Sequence, residues 1–532
     1  MARGFVYVLT NTGMPSLIKV GFSTRAPEER ASELSTTGVP FDAPAETWSY
    51  ARFASEVAQV AGGLASRGVA TGDRVLVHLE NCPEALIARF ACARLGAVCV
   101  ATNAMAAGPE LAYFAEATGA VAAITQPKFS RLASEHCRSL KWLALTGSDA
   151  GSDPAPGTAA AKSDSFASLH AEPLPRRAPD PMASASILFT TGTTGRPKGV
   201  LWTQANLIWG AKLGALQQGI RADDVCQIFL PLYHVVGLSW SLLAALWAGA
   251  TVVLQPRFSA SRFWGAALAH RATVGSQVLF TSQALSQQPV PSGHCFRQWT
   301  AARCLPEHES RFGLKLIGAW GMTEVAAQGI VGDPCVPQHP GSIGRASIAY
   351  RIRIADDDGR PVASGETGNL TIGGMRGVSL FSGYFSDPRA TEEAFDAGGY
   401  FRTGDRVLLH QDGSIQFADR AKDMIKVGGE GVSAAEIERV VLGVAGVKEA
   451  AVVGKTDPAY GEVAVAFVVP RPDAPASIVE NIIEACRGSL AKFKVPREVY
   501  LVSELPRMGF GKIAKAALRE RLHNDSKGGF RK

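Results

Sequence analysis

The run Ile187 to Val200, ILFTTGTTGRPKGV, joins an apolar stretch to a loop that holds threonines at 190, 191, 193 and 194, glycines at 192, 195 and 199, and Lys198. These groups together suit a polyphosphate. Glycines let several backbone N–H groups converge on anionic oxygens, hydroxyls add neutral donors, and the lysine brings a mobile positive charge. The G-x-x-x-x-G-K-[ST] spacing is absent, which removes the main support for a P-loop NTPase. The candidate phosphate-binding residues are therefore Thr190, Thr191, Gly192, Thr193, Thr194, Gly195 and Lys198.

The same run resembles the phosphate loop of the adenylate-forming superfamily of acyl-CoA synthetases, luciferases and peptide-synthetase adenylation domains. The resemblance extends from about Trp48 to about Arg519, through GAWGMTE (318 to 324), YFRTGD (400 to 405), ADRAKDMIKVGGEGVSAAEIE (418 to 438) and LPRMGFGKIAK (505 to 515). The phrases FSASRFW, RFGLKLIGAWGMTE, GSIGR and SLFSGYFSDPRAT are most similar to the crotonobetaine/carnitine-CoA ligase-like branch.

The resemblance implies ATP, Mg²⁺ and CoA as cofactors and a small carboxylic acid as substrate. Thr191, Thr194 and Lys198 would surround the β- and γ-phosphates. Trp320, where the family usually has tyrosine, would lie against adenine. Thr323 would bond the α-phosphate, Glu324 would hold Mg²⁺ as a hard oxygen ligand, and Asp405 would accept both ribose hydroxyls. Arg420 would reach the ribose or a phosphate. Lys512 would neutralise charge between the attacking carboxylate and the α-phosphate. Lys422 matches the hinge about which a small domain rotates between half-reactions, and Gly428 and Gly429, in GGEG, the loop that admits a thiol. Tyr233 and His234 fit the entrance of the acyl pocket, with Ser276 to Phe280 and Gly318 to Ala319 along it. Three departures from the family pattern stand out: Trp320, PRMGF before Gly511, and Gly431 where asparagine is usual.

Gly4 to Ala43 is foreign to that family and resembles the opening of a GIY-YIG nuclease-like domain, with Val6–Tyr7 and Lys19–Val20–Gly21 at its two signatures and Arg30 on its first helix. It stops before the helix that would carry the metal-binding glutamate. Over residues 1–44 four basic residues (3, 19, 25 and 30) balance four acidic ones (28, 29, 33 and 42), a poor footprint for DNA. A catalytically dead fusion segment is expected. It displaces the usual lead-in strand, so an inactive fusion is an alternative to a working ligase. A GIY-YIG-type nucleic-acid-processing protein is another.

The elements that must position these residues follow from periodicity. From Trp48 onward helical and strand patterns alternate: a helix over Tyr50 to Arg67, a strand over Arg74 to Leu79, a helix over Cys82 to Leu95 and then the strand AVCVAT. Such alternation implies parallel sheets. The fold class expected is α/β, a large adenylating domain with mainly parallel sheets plus a small mobile α+β C-terminal domain. The boundaries are 1–44, 45–420, 421–520 and a basic tail at 521–532. Gly147 to Pro181, rich in Ala, Ser, Asp, Gly and Pro, reads as a surface loop.

Composition narrows the classes. With 532 residues, 46% hydrophobic and 19% charged, the chain suits several buried cores rather than disorder or coiled coil. A net charge of +6 leaves no chain-wide footprint for nucleic acid. Nine scattered cysteines without a C-x-x-C pair indicate neither a zinc knuckle nor a disulfide framework, and fit a reducing cytoplasm. Val235 to Leu254 carries no charge over twenty residues, yet Gly249 divides it into the helix-like SWSLLAALWA and the strand-like ATVVL. It reads as buried βαβ sequence rather than a membrane span. Oligomeric state has no signature.

Overall fold

The helix Tyr50–Ser66 begins where Ser49 leaves the strand Glu46–Ser49 and accepts the Arg52 N–H at 3.1 Å, a standard N-cap. Its apolar face, with Phe53, Val57, Val60, Ala61 and Leu64, is buried. From there the computed structural model alternates strands and helices as the sequence pattern requires. It describes residues 7–10, 46–155, 163–190, 196–420, 424–506 and 513–524.

Two parallel blocks dominate. In one, Lys315–Trp320, Gln298–Ala301, Val274–Gln277, Val225–Ile228 and Thr251–Leu254 lie side by side, all parallel. In the other, Ser184–Thr190, Val98–Ala101, Arg74–His78, Ala122–Thr125, Trp142–Leu145 and Asp164–Ser165 do the same. Their central strands bury almost every side chain, which is why they read as unbroken apolar runs. A third, antiparallel sheet holds Arg351–Ala355, Thr367–Gly373, Tyr400–Leu409 and Ile415–Arg420. The architecture is the mixed α/β class expected.

The described chain divides into two compact units: Met1–Ala104, Phe114–Leu188 and Gly199–Asp419 in one, Met105–Tyr113, Phe189–Lys198 and Arg420–Lys532 in the other. The second contains a five-stranded sheet centred on Val447–Asp457 and Gly461–Pro470, with the helices Ala434–Leu442 and Ile478–Ser489 covering it.

Several expectations meet differences. Within the segment read as a surface loop, Asp164–Ser165 joins a sheet, and Phe166 and Leu169 of the turn Phe166–Leu169 are buried. The cause lies in the helix Tyr50–Ser66. A Cβ on Gly63 would sit 1.7 Å from the Leu169 carbonyl oxygen, and one on Gly62 2.0 Å from that of Glu172. The glycines let the segment lie on the helix, where Leu174 N–H donates to the Ala58 carbonyl at 2.9 Å. SWSLLAALWA is helical, but Val236–Leu243 winds as a π-helix, with the Ser241 hydroxyl donating to the Val236 carbonyl at 2.9 Å. After Ala244–Ala248 and Gly249 (φ 71°), Thr251–Leu254 forms the strand foreseen. Among the described residues no helix is long and apolar enough to cross a membrane.

At the N-terminus, Tyr7–Thr10 pairs antiparallel with Thr251–Leu254 and parallel with Glu46–Ser49, extending the first sheet. The second GIY-YIG-like signature, at residues 19–21, and Arg30 lie outside the described residues.

Candidate active site

Strand Lys198–Thr203 leaves the candidate phosphate loop with Val200, Trp202 and Thr203 buried. Trp202 donates its indole N–H to the Thr323 carbonyl at 2.8 Å, so this strand holds the loop that follows Lys315–Trp320. On its other edge Gly383–Tyr384 pairs antiparallel with it, Tyr384 opposite Val200. The Tyr384 hydroxyl then donates to Glu324 Oε1 at 2.9 Å. Phe381 N–H donates to the Glu324 carbonyl at 2.9 Å, fixing the backbone there as well.

Glu324 is only 4% exposed. Burial, and then the negative charge of Glu324, push the Tyr384 phenol well above its ordinary pKa, so it remains a protonated donor to the carboxylate. Glu324 thus presents a buried carboxylate whose orientation is fixed by Tyr384 and by the Phe381 N–H. No group of three or more His, Cys, Asp and Glu that could cage a metal exists among the described residues. One carboxylate oxygen donor suits Mg²⁺, which commonly takes one or two carboxylates and completes its shell with phosphate oxygens and water.

Trp320 ends the strand Lys315–Trp320 and is 7% exposed. Its indole N–H donates to Asp405 Oδ2 at 2.9 Å, across 85 positions of sequence. Asp405, 4% exposed, sits where strand Tyr400–Leu409 breaks register with Thr367–Gly373: Thr371 faces Arg402 but Asn369 faces Arg406. The bulge contains Gly404 at φ 72° and is held by Thr403, whose hydroxyl donates to the Leu370 carbonyl at 2.7 Å and accepts the Asp405 N–H at 3.1 Å. A Cβ on Gly329 would lie 3.1 Å from the Trp320 ring, so glycine there leaves room for the indole.

Of the other sequence-derived candidates, Thr190 ends the strand Ser184–Thr190 and Lys198 opens the strand after the loop, both half-buried. Just before Lys198, the Tyr113 hydroxyl donates to the Pro197 carbonyl at 2.9 Å. His234 packs against the Tyr233 ring, centroids 4.6 Å apart, and its carbonyl accepts the Leu238 N–H at the start of the π-helix. Gly428 and Gly429, at φ 59° and 92°, make the two-residue turn of a hairpin in which Val427 faces Glu430. Arg420 ends the strand Ile415–Arg420, its side chain outside the described part. Thr191, Gly192, Thr193, Thr194, Gly195, Lys422 and Lys512 lie outside the described residues. Tyr384 and Trp202 were not singled out from sequence; each acts on a motif 60 or 121 positions away, and no spacing signals that.

The fold and this convergence define an adenylate-forming enzyme. Residues 25–385 match the AMP-binding enzyme family and residues 436–512 its C-terminal domain, so the chain belongs to that family. The first match begins within the segment that sequence alone set apart at 1–44. The protein is an AMP-forming acyl-CoA synthetase, a class that uses ATP, Mg²⁺ and CoA. It is 34% identical over 486 residues to the crotonobetaine/carnitine–CoA ligase of Escherichia coli O139:H28, covering 89% of this chain and 93% of that one. Among solved structures it is similar to a double mutant of o-succinylbenzoate CoA synthetase from Bacillus subtilis bound to a product analogue (TM-score 0.76, 28% identity, 88% and 93% covered). It is also similar to the amide bond synthetase McbA from Marinactinospora thermotolerans (TM-score 0.76, 26% identity, 88% and 94% covered).

Proposed function

We propose that the chain condenses a small carboxylic acid with ATP at the site built by Thr190–Lys198, Trp320, Thr323, Glu324 and Asp405, and then passes the acyl group to CoA. A carboxylate oxygen attacks the α-phosphorus, the bond to the β,γ-phosphates breaks, and acyl-adenylate and pyrophosphate result. The CoA sulfur then attacks the acyl carbonyl, AMP leaves, and the thiol proton is released to solvent.

In this reading Thr191, Thr194 and Lys198 hold the β- and γ-phosphates, with Thr190, Gly192, Thr193 and Gly195 shaping the same loop. Thr323 donates to the α-phosphate. Trp320 faces the adenine, and Asp405, oriented by the Trp320 N–H, accepts from the ribose diol. Glu324 is the protein ligand of Mg²⁺, whose charge when bound offsets that of the phosphates. Tyr384 keeps the carboxylate turned through its hydroxyl. Lys512 meets the developing charge of the in-line attack, and removing such a donor commonly costs about 10²–10³ in rate. The small domain turns about Lys422 so that Lys512 serves the first half-reaction and the turn at Gly428–Gly429 the second. His234 orients the acid.

The observation that carries this reading is the pairing of Trp320 with Asp405 and of Glu324 with Tyr384, which ties three distant motifs into one buried polar site. Similarity to crotonobetaine/carnitine–CoA ligases supports a small acid and CoA as acceptor. The test is pyrophosphate release across a panel of acids, with and without CoA. Release that depends on an acid, with thioester formed only when CoA is present, is expected. Release indifferent to every acid contradicts the reading, and plasmid nicking with Mg²⁺ would favour the nuclease alternative.

A further inference from the structure

Asn81 comes just after the strand Arg74–His78, at the carboxyl end of one parallel block, and is 3% exposed. Its side chain reaches the carboxyl ends of two strands in the other block. Nδ2 donates to the Leu230 carbonyl at 3.0 Å, beyond Val225–Ile228, and to the Gln255 carbonyl at 3.1 Å, beyond Thr251–Leu254. Oδ1 accepts the Leu232 N–H at 3.0 Å, and the Asn81 N–H donates to the Pro256 carbonyl at 3.3 Å. One carboxamide thus serves three backbone groups of buried loops, where each such group needs a partner.

The loop so held is the one that delivers Tyr233 and His234. The His234 N–H donates to the Pro231 carbonyl at 3.1 Å, closing a turn inside it, and the His234 carbonyl accepts the Leu238 N–H at the start of the π-helix. A Cβ on Gly237 would stand 2.3 Å from the Pro231 carbonyl oxygen and 2.6 Å from that of Leu230, so the helix start rests directly on the same backbone. Arg89, buried on the helix Pro83–Leu95, adds a second tie. Its Nη2 donates to the Leu232 carbonyl at 3.3 Å and its Nη1 to the Ser186 hydroxyl at 3.0 Å, on the strand that ends at Thr190. In open parallel sheets ligands bind beyond the carboxyl ends of the strands, on loops that a rigid scaffold positions. Asn81 and Arg89 supply that rigidity from the neighbouring block.

We propose that Asn81 is a positioning residue for the carboxylic acid: through the backbone of Leu230 and Leu232 it sets where His234 stands, and Arg89 ties the same loop to the strand that carries Thr190. The proposal rests on the carboxylate-activating reading above and deepens it by naming what places the acid.

The test uses the full-length protein with Asn81→Ala and, independently, Arg89→Met, which keeps an unbranched side chain and removes both of its bonds. A positioning loss falls on one substrate. In Asn81→Ala, kcat/KM for the acid in pyrophosphate release is expected to drop about tenfold to a hundredfold, as for a displacement of about 1 Å at a reacting group, while KM for ATP stays within about twofold. Arg89→Met is expected to show the same split at smaller size. Gly63→Ala, which strains the helix Tyr50–Ser66, is the control expected to lower Tm with KM for the acid unchanged. Hydrogen exchange gives a readout independent of turnover: amides 229–238 are expected to exchange faster in Asn81→Ala, with 74–78 unchanged. Loss of acid and ATP affinity by the same factor, a KM for the acid that moves as much in Gly63→Ala, or unchanged exchange at 229–238 overturns the proposal. Should Asn81→Ala not fold, Arg89→Met decides alone: the split supports the proposal and its absence contradicts it. If no acid releases pyrophosphate in the native chain, the functional reading fails on its own account. The rise in Tm that each acid causes alongside a non-hydrolysable ATP analogue then decides the positioning role. A rise in the native chain that Asn81→Ala loses supports it, and a rise equal in both or absent from both contradicts it.

Discussion

Trp320 donates its indole N–H to Asp405 Oδ2 at 2.9 Å, and both side chains are buried. The residue that departs from the family's usual tyrosine therefore grips the carboxylate assigned to the ribose. An aromatic face and a directed N–H come from one side chain.

Trp320→Phe keeps the face and removes the donor. A hydrogen bond to a charged group contributes about 1.5–3 kcal/mol, so KM for ATP is expected to rise roughly tenfold to a hundredfold. Asp405→Ala is expected to do at least as much, and the double variant little more than Asp405→Ala alone, because the two act through one bond. Additive losses in ATP titrations would separate them.

Tyr384→Phe removes the hydroxyl from Glu324 Oε1. The expected result is a higher Mg²⁺ concentration for half-maximal rate, with maximal rate falling less than in Glu324→Gln. Mg²⁺ titration of both variants reads this directly, and an unchanged Mg²⁺ requirement in Tyr384→Phe would detach Tyr384 from the site.

Gly63→Ala places a methyl 1.7 Å from the Leu169 carbonyl oxygen, a backbone atom that cannot swing aside. Overpacking of this kind costs about 1–3 kcal/mol, and denaturant unfolding should show at least that loss. Gly68→Ala is not an equivalent control, since Gly68 has open space but φ 80°.

Asp224 reports on acid stability. Burial pushes its carboxyl up, but hydrogen bonds from Arg297, Thr273 and the Arg221 N–H, with the Arg297 charge, leave its pKa below the ordinary value. A lowered folded-state pKa gives stability that is full above the unfolded value near 3.9 and fades as pH falls below it. Asp224→Asn is expected to flatten the Tm–pH curve in that acid range and to lower Tm at neutral pH.

How much of this was legible beforehand depends on whether the signal was local. The Thr/Gly/Lys loop announces phosphate chemistry within fourteen residues, and the strands Arg74–His78 and Val98–Ala101 and the helix between them follow from short-range pattern. The burial of Phe166 and Leu169 was not legible, because it depends on Gly62 and Gly63 opening a helix face a hundred positions earlier. For the same reason Asp405 and Glu324 were visible as motif residues, while the groups that orient them, Trp320 N–H and Tyr384 OH, emerged only from pairing across the fold. The π-helical winding of Val236–Leu243 likewise has no periodicity that separates it from an α-helix over eight residues.

Lys512→Ala is expected to abolish acyl-adenylate formation while retaining thioester formation from supplied acyl-adenylate, and Lys198→Ala to impair mainly the use of ATP. Equal loss of both half-reactions in Lys512→Ala would contradict a division of labour between two positions of the small domain.

The most direct measurement is rapid-quench pyrophosphate release from ATP with a turned-over acid, first without CoA and then with it. The account predicts a burst of about one pyrophosphate per active site that stalls without CoA, and continuous turnover matched by AMP and thioester once CoA is added. Pyrophosphate or AMP appearing at the same rate with no acid present would contradict it.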